Sequence, residues 1–110
     1  LDRHGARAIR ARREQANMVV GVLQLSLAIP GAMSLKDKRR AIKSLKDRLA
    51  ARHNVSVAEV DQLDALRQSV IAVAMVSNDR RFTESCLAKI VDEVQMHRDV
   101  VLQDYGIELS

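Results

Sequence analysis

Residues 19–29, VVGVLQLSLAI, alternate along their whole length. Val19, Gly21, Leu23, Leu25, Leu27 and Ile29 fall on one side, and Val20, Val22, Gln24, Ser26 and Ala28 on the other. A period of two marks a strand, here with one fully apolar face, and Pro30-Gly31 ends it. Such a face needs a covering layer, and the next segment supplies one. Leu35, Ile42, Leu45 and Leu49 recur at helical spacing behind Ser34, an N-cap residue with Asp37 three positions on. This helix runs out near Arg52-His53-Asn54. Val55, Val57 and Val60 open a second strand, and Asp61-Gln62-Leu63-Asp64 form a polar turn. Residues 66–76, LRQSVIAVAMV, are apolar on both sides, as a central strand is. Ser77-Asn78-Asp79 caps a second helix with the stripe Phe82, Cys86, Leu87, Ile90, Val91 and Val94. His97 and Arg98 stand near its end, and residues 100–109 form the last strand.

The order β-α-β-β-α-β predicts an α+β fold of the ferredoxin-like kind, a four-stranded antiparallel sheet with both helices on one face. One domain over residues 18–110 is expected. The crossover rule is read as making strands 1 and 3 parallel neighbours. Both helices would then start on one rim of the sheet. Residues 1–17 have a single large aliphatic side chain between Leu1 and Asn17, namely Ile9, and read as a disordered or non-native basic extension. It is a tag remnant, an upstream reading frame or a true basic arm.

Several function classes find no support. No segment approaches the ~20 apolar residues of a membrane span, and the chain opens without a secretory signal, so a cytoplasmic location is expected. Cys86 is the only cysteine, which excludes an intrachain disulfide and a cysteine-built zinc site. Its place on an apolar stripe reads as a buried, inert thiol. His4, His53 and His97 lack ligand spacing, and no phosphate-cradling glycine loop is present. Neither a nucleophile nor a general base stands out, so the expectation is a protein with no enzymatic activity, cofactor or metal.

Charge is the informative property. The net charge of +4 conceals segments of +3 over residues 1–17, zero over 18–33, +6 over 34–53 and −5 over 54–110. Lys36, Arg39, Lys43 and Lys46 form one ridge of the first helix at steps of three and four. Concentrated charge of this kind suits an anionic partner. With only Phe82 and Tyr105 in the chain, RNA contact has to run through phosphate rather than base stacking. The shared rim expected above would bring Ser34, Ser77, Asn78 and Asp79 together with Lys36, Lys38, Arg39, Arg80 and Arg81 around an anion. Lys38 falls at the angle of the core stripe, and its simplest role is to snorkel from the end of that stripe. The sheet surface away from the helices carries Val20, Val22 and Ala28 plus one aliphatic set of the third strand. A face this apolar is expected to be buried, most economically in a homodimer.

Specific stretches carry a family likeness. Ile29-Pro30-Gly31-Ala32 followed by Ser34-Leu35-Lys36 and Lys38-Arg39-Arg40, Lys43-Ser44-Leu45 with Asp47-Arg48-Leu49, residues 54–61, and Val76-Ser77-Asn78-Asp79 resemble the YlxP-like family of small bacterial proteins of unknown function. The resemblance spans all but the extension. It implies a ferredoxin-like fold, and it implies genes that neighbour those of translation initiation and ribosome maturation. No catalytic residues come with it. An aromatic residue common early in the third strand of the family is Leu66 here, which puts any partner contact made by that aromatic in doubt. The expected function is a non-catalytic accessory factor of ribosome maturation or translation, with ribosomal RNA or an assembly protein as partner. A homodimeric protein-interaction module and a sensor of a small anionic ligand are the alternatives.

Overall fold

The computed structural model describes residues 17–110, so the reading of the extension lies, Asn17 apart, outside the described residues. The order is β1 (Val19–Ala28), α1 (Leu35–Arg52), β2 (Ser56–Asp61), β3 (Gln68–Ser77), α2 (Arg80–Gln95) and β4 (Val101–Leu109). The strands form one sheet in the order β2-β3-β1-β4, every adjacent pair antiparallel. The expected fold class is the one observed.

Alternation in β1 does what its period requires. Val19, Leu23, Leu25 and Leu27 are buried beneath the helices, while Val20, Val22, Gln24 and Ser26 lie on the other face. In β3, Ile71, Val73 and Met75 join the core, and Val70, Ala72, Ala74 and Val76 share the outer face with β1. Ile42, Leu45 and Leu49 of α1 and Leu87, Ile90, Val91 and Val94 of α2 close the core from above.

The cap of α1 follows the sequence reading. The Ser34 hydroxyl accepts from the Asp37 amide at 3.1 Å, and the Asp37 carboxylate accepts from the Met33 amide at 3.0 Å. At α2 the N-cap is Asp79, whose carboxylate accepts from the Phe82 amide at 3.0 Å. The inner stripe of α2 is shifted from expectation. Phe82 is 55% exposed, and Thr83 takes the buried first-turn position. Space decides this: the helix packs so close to Gly21 that a Cβ there would meet Thr83 Cγ2 at 2.5 Å. Helix α2 stops at Gln95, and His97 and Arg98 follow just beyond its end, in the turn before β4.

One topological expectation is corrected. Strands β1 and β3 are adjacent but antiparallel, with Val19 opposite Ser77 and Ala28 opposite Gln68. The crossover rule governs the strands that a helix joins, here β1 and β2. The loop of residues 62–67 then returns the chain as β3, which inserts between them and runs against both.

Candidate nucleic-acid interface

The antiparallel pairing of β1 and β3 separates the two helix starts. Helix α1 begins beyond Ala28 and α2 beyond Ser77, at opposite ends of a ladder ten residues long. At about 3.4 Å per residue the ends lie roughly 30 Å apart. Lys36, Lys38 and Arg39 therefore do not converge with Arg80 and Arg81, and the shared anion rim does not form. The caps argue the same way. Ser34 and Asp79 hold first-turn amides, and Ser77 Oγ contacts the Asp79 amide at 3.1 Å and Thr83 Oγ1 at 2.6 Å. The Asn78 carbonyl accepts from the Asn17 side-chain amide at 2.8 Å. Ser34, Ser77 and Asp79 are engaged in starting their helices, and a sensor of small anions loses the rim on which it was placed.

Lys38 is the second correction. It is completely buried. Its ammonium donates to the carbonyls of Gln62 at 2.5 Å and Leu63 at 3.3 Å, and lies 3.1 Å from Glu59 Oε2. Ser69 Oγ donates to the same carboxylate oxygen at 2.6 Å. The side chain neither snorkels nor reaches solvent, so it is no phosphate ligand. It ties α1 to the β2–β3 turn, in which Gln62 adopts φ 59°. The motif showed a lysine at a core angle, but no local signal could name a partner more than twenty residues away.

What remains is a coherent surface on α1. Arg39, Lys43 and Lys46 line a shallow groove of about 390 Å³ with Ile42, Asp47 and Glu59, where the helix overhangs edge strand β2. Lys36 extends the same ridge one step toward the helix start. Lys43 is paired with Asp47 at 2.6 Å, but both side chains are mostly exposed, and a pair of this kind contributes about 0–1 kcal/mol. Within the described residues Lys36, Arg39 and Lys46 make no ion pair or side-chain hydrogen bond. Arg40, on the other flank, was missed as a candidate. It lines a cleft of about 530 Å³ with Arg98, Asp99, Ser44 and the Pro30-Gly31 turn. Only the approach of the α2–β4 turn to α1 creates that neighbourhood. The far end of α1 is fixed differently: Glu93 of α2 contacts His53 Nε2 at 2.8 Å and Arg52 at 3.6 Å. Among the described residues no three His, Cys, Asp or Glu side chains gather as metal ligands would, and no helix is long and apolar enough to cross a membrane.

A β-α-β-β-α-β domain with this sheet order is a ferredoxin-like α+β protein, here with a row of cations along one flank of α1. The chain belongs to the family described as "Protein of unknown function (DUF503)", whose model matches residues 20–107. It is 30% identical over 73 residues to the uncharacterized protein YlxP of Bacillus subtilis (strain 168), a match covering 66% of this chain and 79% of the relative. Among solved structures the de novo designed protein Foldit4 is similar in fold, with a TM-score of 0.51 at 15% identity, covering 84% of this chain and 96% of that one. The family likeness expected from the motifs is thus shown, and no activity is assigned with it.

Proposed function

We propose that this protein is a non-catalytic, cytoplasmic accessory factor of ribosome maturation or translation that contacts RNA phosphate through the α1 ridge. The observation carrying this reading is the row of exposed Lys36, Arg39 and Lys43, continued by half-buried Lys46, within a segment of net charge +6. The ridge is accessible and carries one acidic side chain in direct opposition, Asp47. Phosphate contacts position a protein without reading sequence, so RNA shape or a second protein supplies the specificity. The choice of ribosomal RNA follows the translation-gene neighbourhood implied by the YlxP-like resemblance. Arg80 and Arg81, at the far end of the sheet, are not part of this interface.

The test is a salt titration of binding to purified ribosomal RNA. Replacing Lys36, Arg39 and Lys43 together by Glu should weaken binding at 100 mM salt by at least tenfold. It should also flatten the slope of log affinity against log salt by about 2–3, because each lost phosphate contact removes about 0.7–0.9. Replacing Arg80 and Arg81 should leave both nearly unchanged. Equal binding by the folded triple variant would overturn the reading.

A further inference from the structure

The sheet face opposite the helices is the main feature that RNA contact leaves unexplained. Antiparallel sheets that face water alternate apolar inside with polar outside. Here the two central strands stay largely aliphatic on the outside: Val20, Val22, Val70, Ala72, Ala74 and Val76 share that surface, and Val76 is 59% exposed. Carboxylates stand at its two edges. Asp104 and Glu108 of β4 lie opposite Ser26 and Val22, and Asp61 of β2 lies opposite Val70, so Asp61 and Asp104 end one row across the sheet. Among the described residues these three acids make no ion pair, and no strand residue of this face is basic.

We propose that this face docks a cationic amphipathic helix of another protein, laid along the strands with its apolar stripe on β3 and β1 and its lysine or arginine side chains reaching the edge carboxylates. Charge selects the occupant. The face repels RNA phosphate, and a second copy would bring three more carboxylates against it. A cation-flanked partner is the one whose approach the field favours. Fit selects a helix. A sheet buries an apolar face under another layer, and the inner face already has its layer. The edge strands β2 and β4 lie three strand spacings apart, about 14 Å. A helix with its side chains is about 10–12 Å across, so it lies between the two acidic edges. Val70 and Val76 bound a floor about 20 Å long, nearly four helical turns.

Gly106 supplies a second argument. It sits between Asp104 and Glu108 on this face, opposite Gln24 and outside the register shift between Ser26 and Leu27. Glycine inside a strand weakens it, and often marks the close approach of a ligand or another chain. No described residue makes that approach: a Cβ at Gly106 would meet no atom within 4 Å, and its φ is not in the left-handed region. The missing side chain instead leaves a groove of about 380 Å³ between Val22, Gln24 and Ser26 of β1 and Asp104 and Glu108 of β4. A groove flanked by two carboxylates receives the methylene stem of a lysine or arginine and pairs its head. The inference does not rest on the RNA reading, because α1 covers the other side of the sheet.

Fluorescence anisotropy of a labelled synthetic peptide mixed with the full chain tests it. The probe is a helix of leucine, alanine and lysine, about 18 residues long so that it folds alone, with leucine on one face and lysine on both flanks. The chain's net charge of +4 repels such a peptide in general, so binding reports a local acidic site. A micromolar dissociation constant is expected, with the scrambled peptide at least tenfold weaker. Combining Asp61→Asn, Asp104→Asn and Glu108→Gln should weaken binding about tenfold while far-UV circular dichroism stays that of the wild type. Gly106→Val should keep or raise the urea midpoint, because valine suits a strand, and should weaken the peptide by about fivefold by filling the groove. Replacing the five arginines of residues 1–17 by glutamine should leave peptide affinity unchanged. No binding at about 100 μM, equal binding of the scrambled peptide, or full affinity in the neutralised or Gly106→Val protein would each overturn the proposal. So would a tenfold gain on removing those arginines, which would assign the face to the chain's own basic extension. A wild-type dimer that Val76→Asp dissociates would overturn it too, by assigning the face to a second copy.

Discussion

Lys38 shows how far a single residue can differ from its local description. Its position on α1 points it at the core, and burial of an unpaired ammonium would be prohibitive. The fold answers with three oxygen partners: two turn carbonyls and Glu59, which Ser69 orients in turn. Removing one member leaves the others desolvated and unmatched. Lys38→Ala should therefore cost about 3–5 kcal/mol, read by urea denaturation, whereas Lys38→Met combined with Glu59→Gln should recover part of that loss. Equal stability of Lys38→Ala and wild type would contradict this account. His97 poses the opposite problem. Its Nε2 is buried with no hydrogen-bond partner among the described residues. Burial, opposed by Asp99 and reinforced by Arg48, holds its pKa below the ordinary 6.5. A lowered pKa means that the unfolded chain takes up the proton first. The stability contributed by neutral His97 is complete above pH 6.5 and is lost as pH falls through the lower folded value. Thermal melts between pH 8 and 5 should show this decline, and His97→Gln should flatten it over that window.

At the scale of elements, close approach rather than propensity sets the details. Gly21 sits mid-strand, where glycine ordinarily weakens a sheet. Here it lets α2 pack against β1, with Thr83 Cγ2 and Leu87 Cδ1 standing 2.5 and 2.9 Å from where a Cβ would be. Thr83 cannot easily yield, being β-branched and hydrogen-bonded to Ser77. Gly21→Ala should destabilise the domain by about 1–3 kcal/mol. Adding Thr83→Ser, which deletes the obstructing methyl, should restore a measurable share in the same denaturation experiment. The periodic segments were legible in the sequence because period reports which face is buried: β1, α1 and β3 lie within two residues of expectation. Phe82 was misplaced because a stripe drawn on an isolated helix carries no information about clearance above a neighbouring strand.

The whole molecule is where the candidate site was least legible. The row Lys36, Arg39, Lys43 and Lys46 could be read directly, since helical spacing alone puts those residues on one flank. Their expected union with Arg80 and Arg81 depended on the direction of β3. The β2–β3 turn reverses that direction and sends the two helix starts to opposite ends. Two surfaces of different character result: a basic helix flank and, on the other side of the same layer, a sheet face on which Asp61, Asp104 and Glu108 flank the aliphatic residues of β1 and β3. The salt titration addresses the first.

The chain's own pattern determined the element order, the inward faces and the placement of cations along α1. Those properties depend on neighbours a few residues apart and on periodicities of two and 3.6. Tertiary structure alone decided which way β3 runs, that Lys38 is enclosed by Glu59 and the Gln62-Leu63 carbonyls, and that Gly21 lies beneath Thr83. Those properties belong to contacts between residues far apart in the chain, whose partners no local spacing specifies.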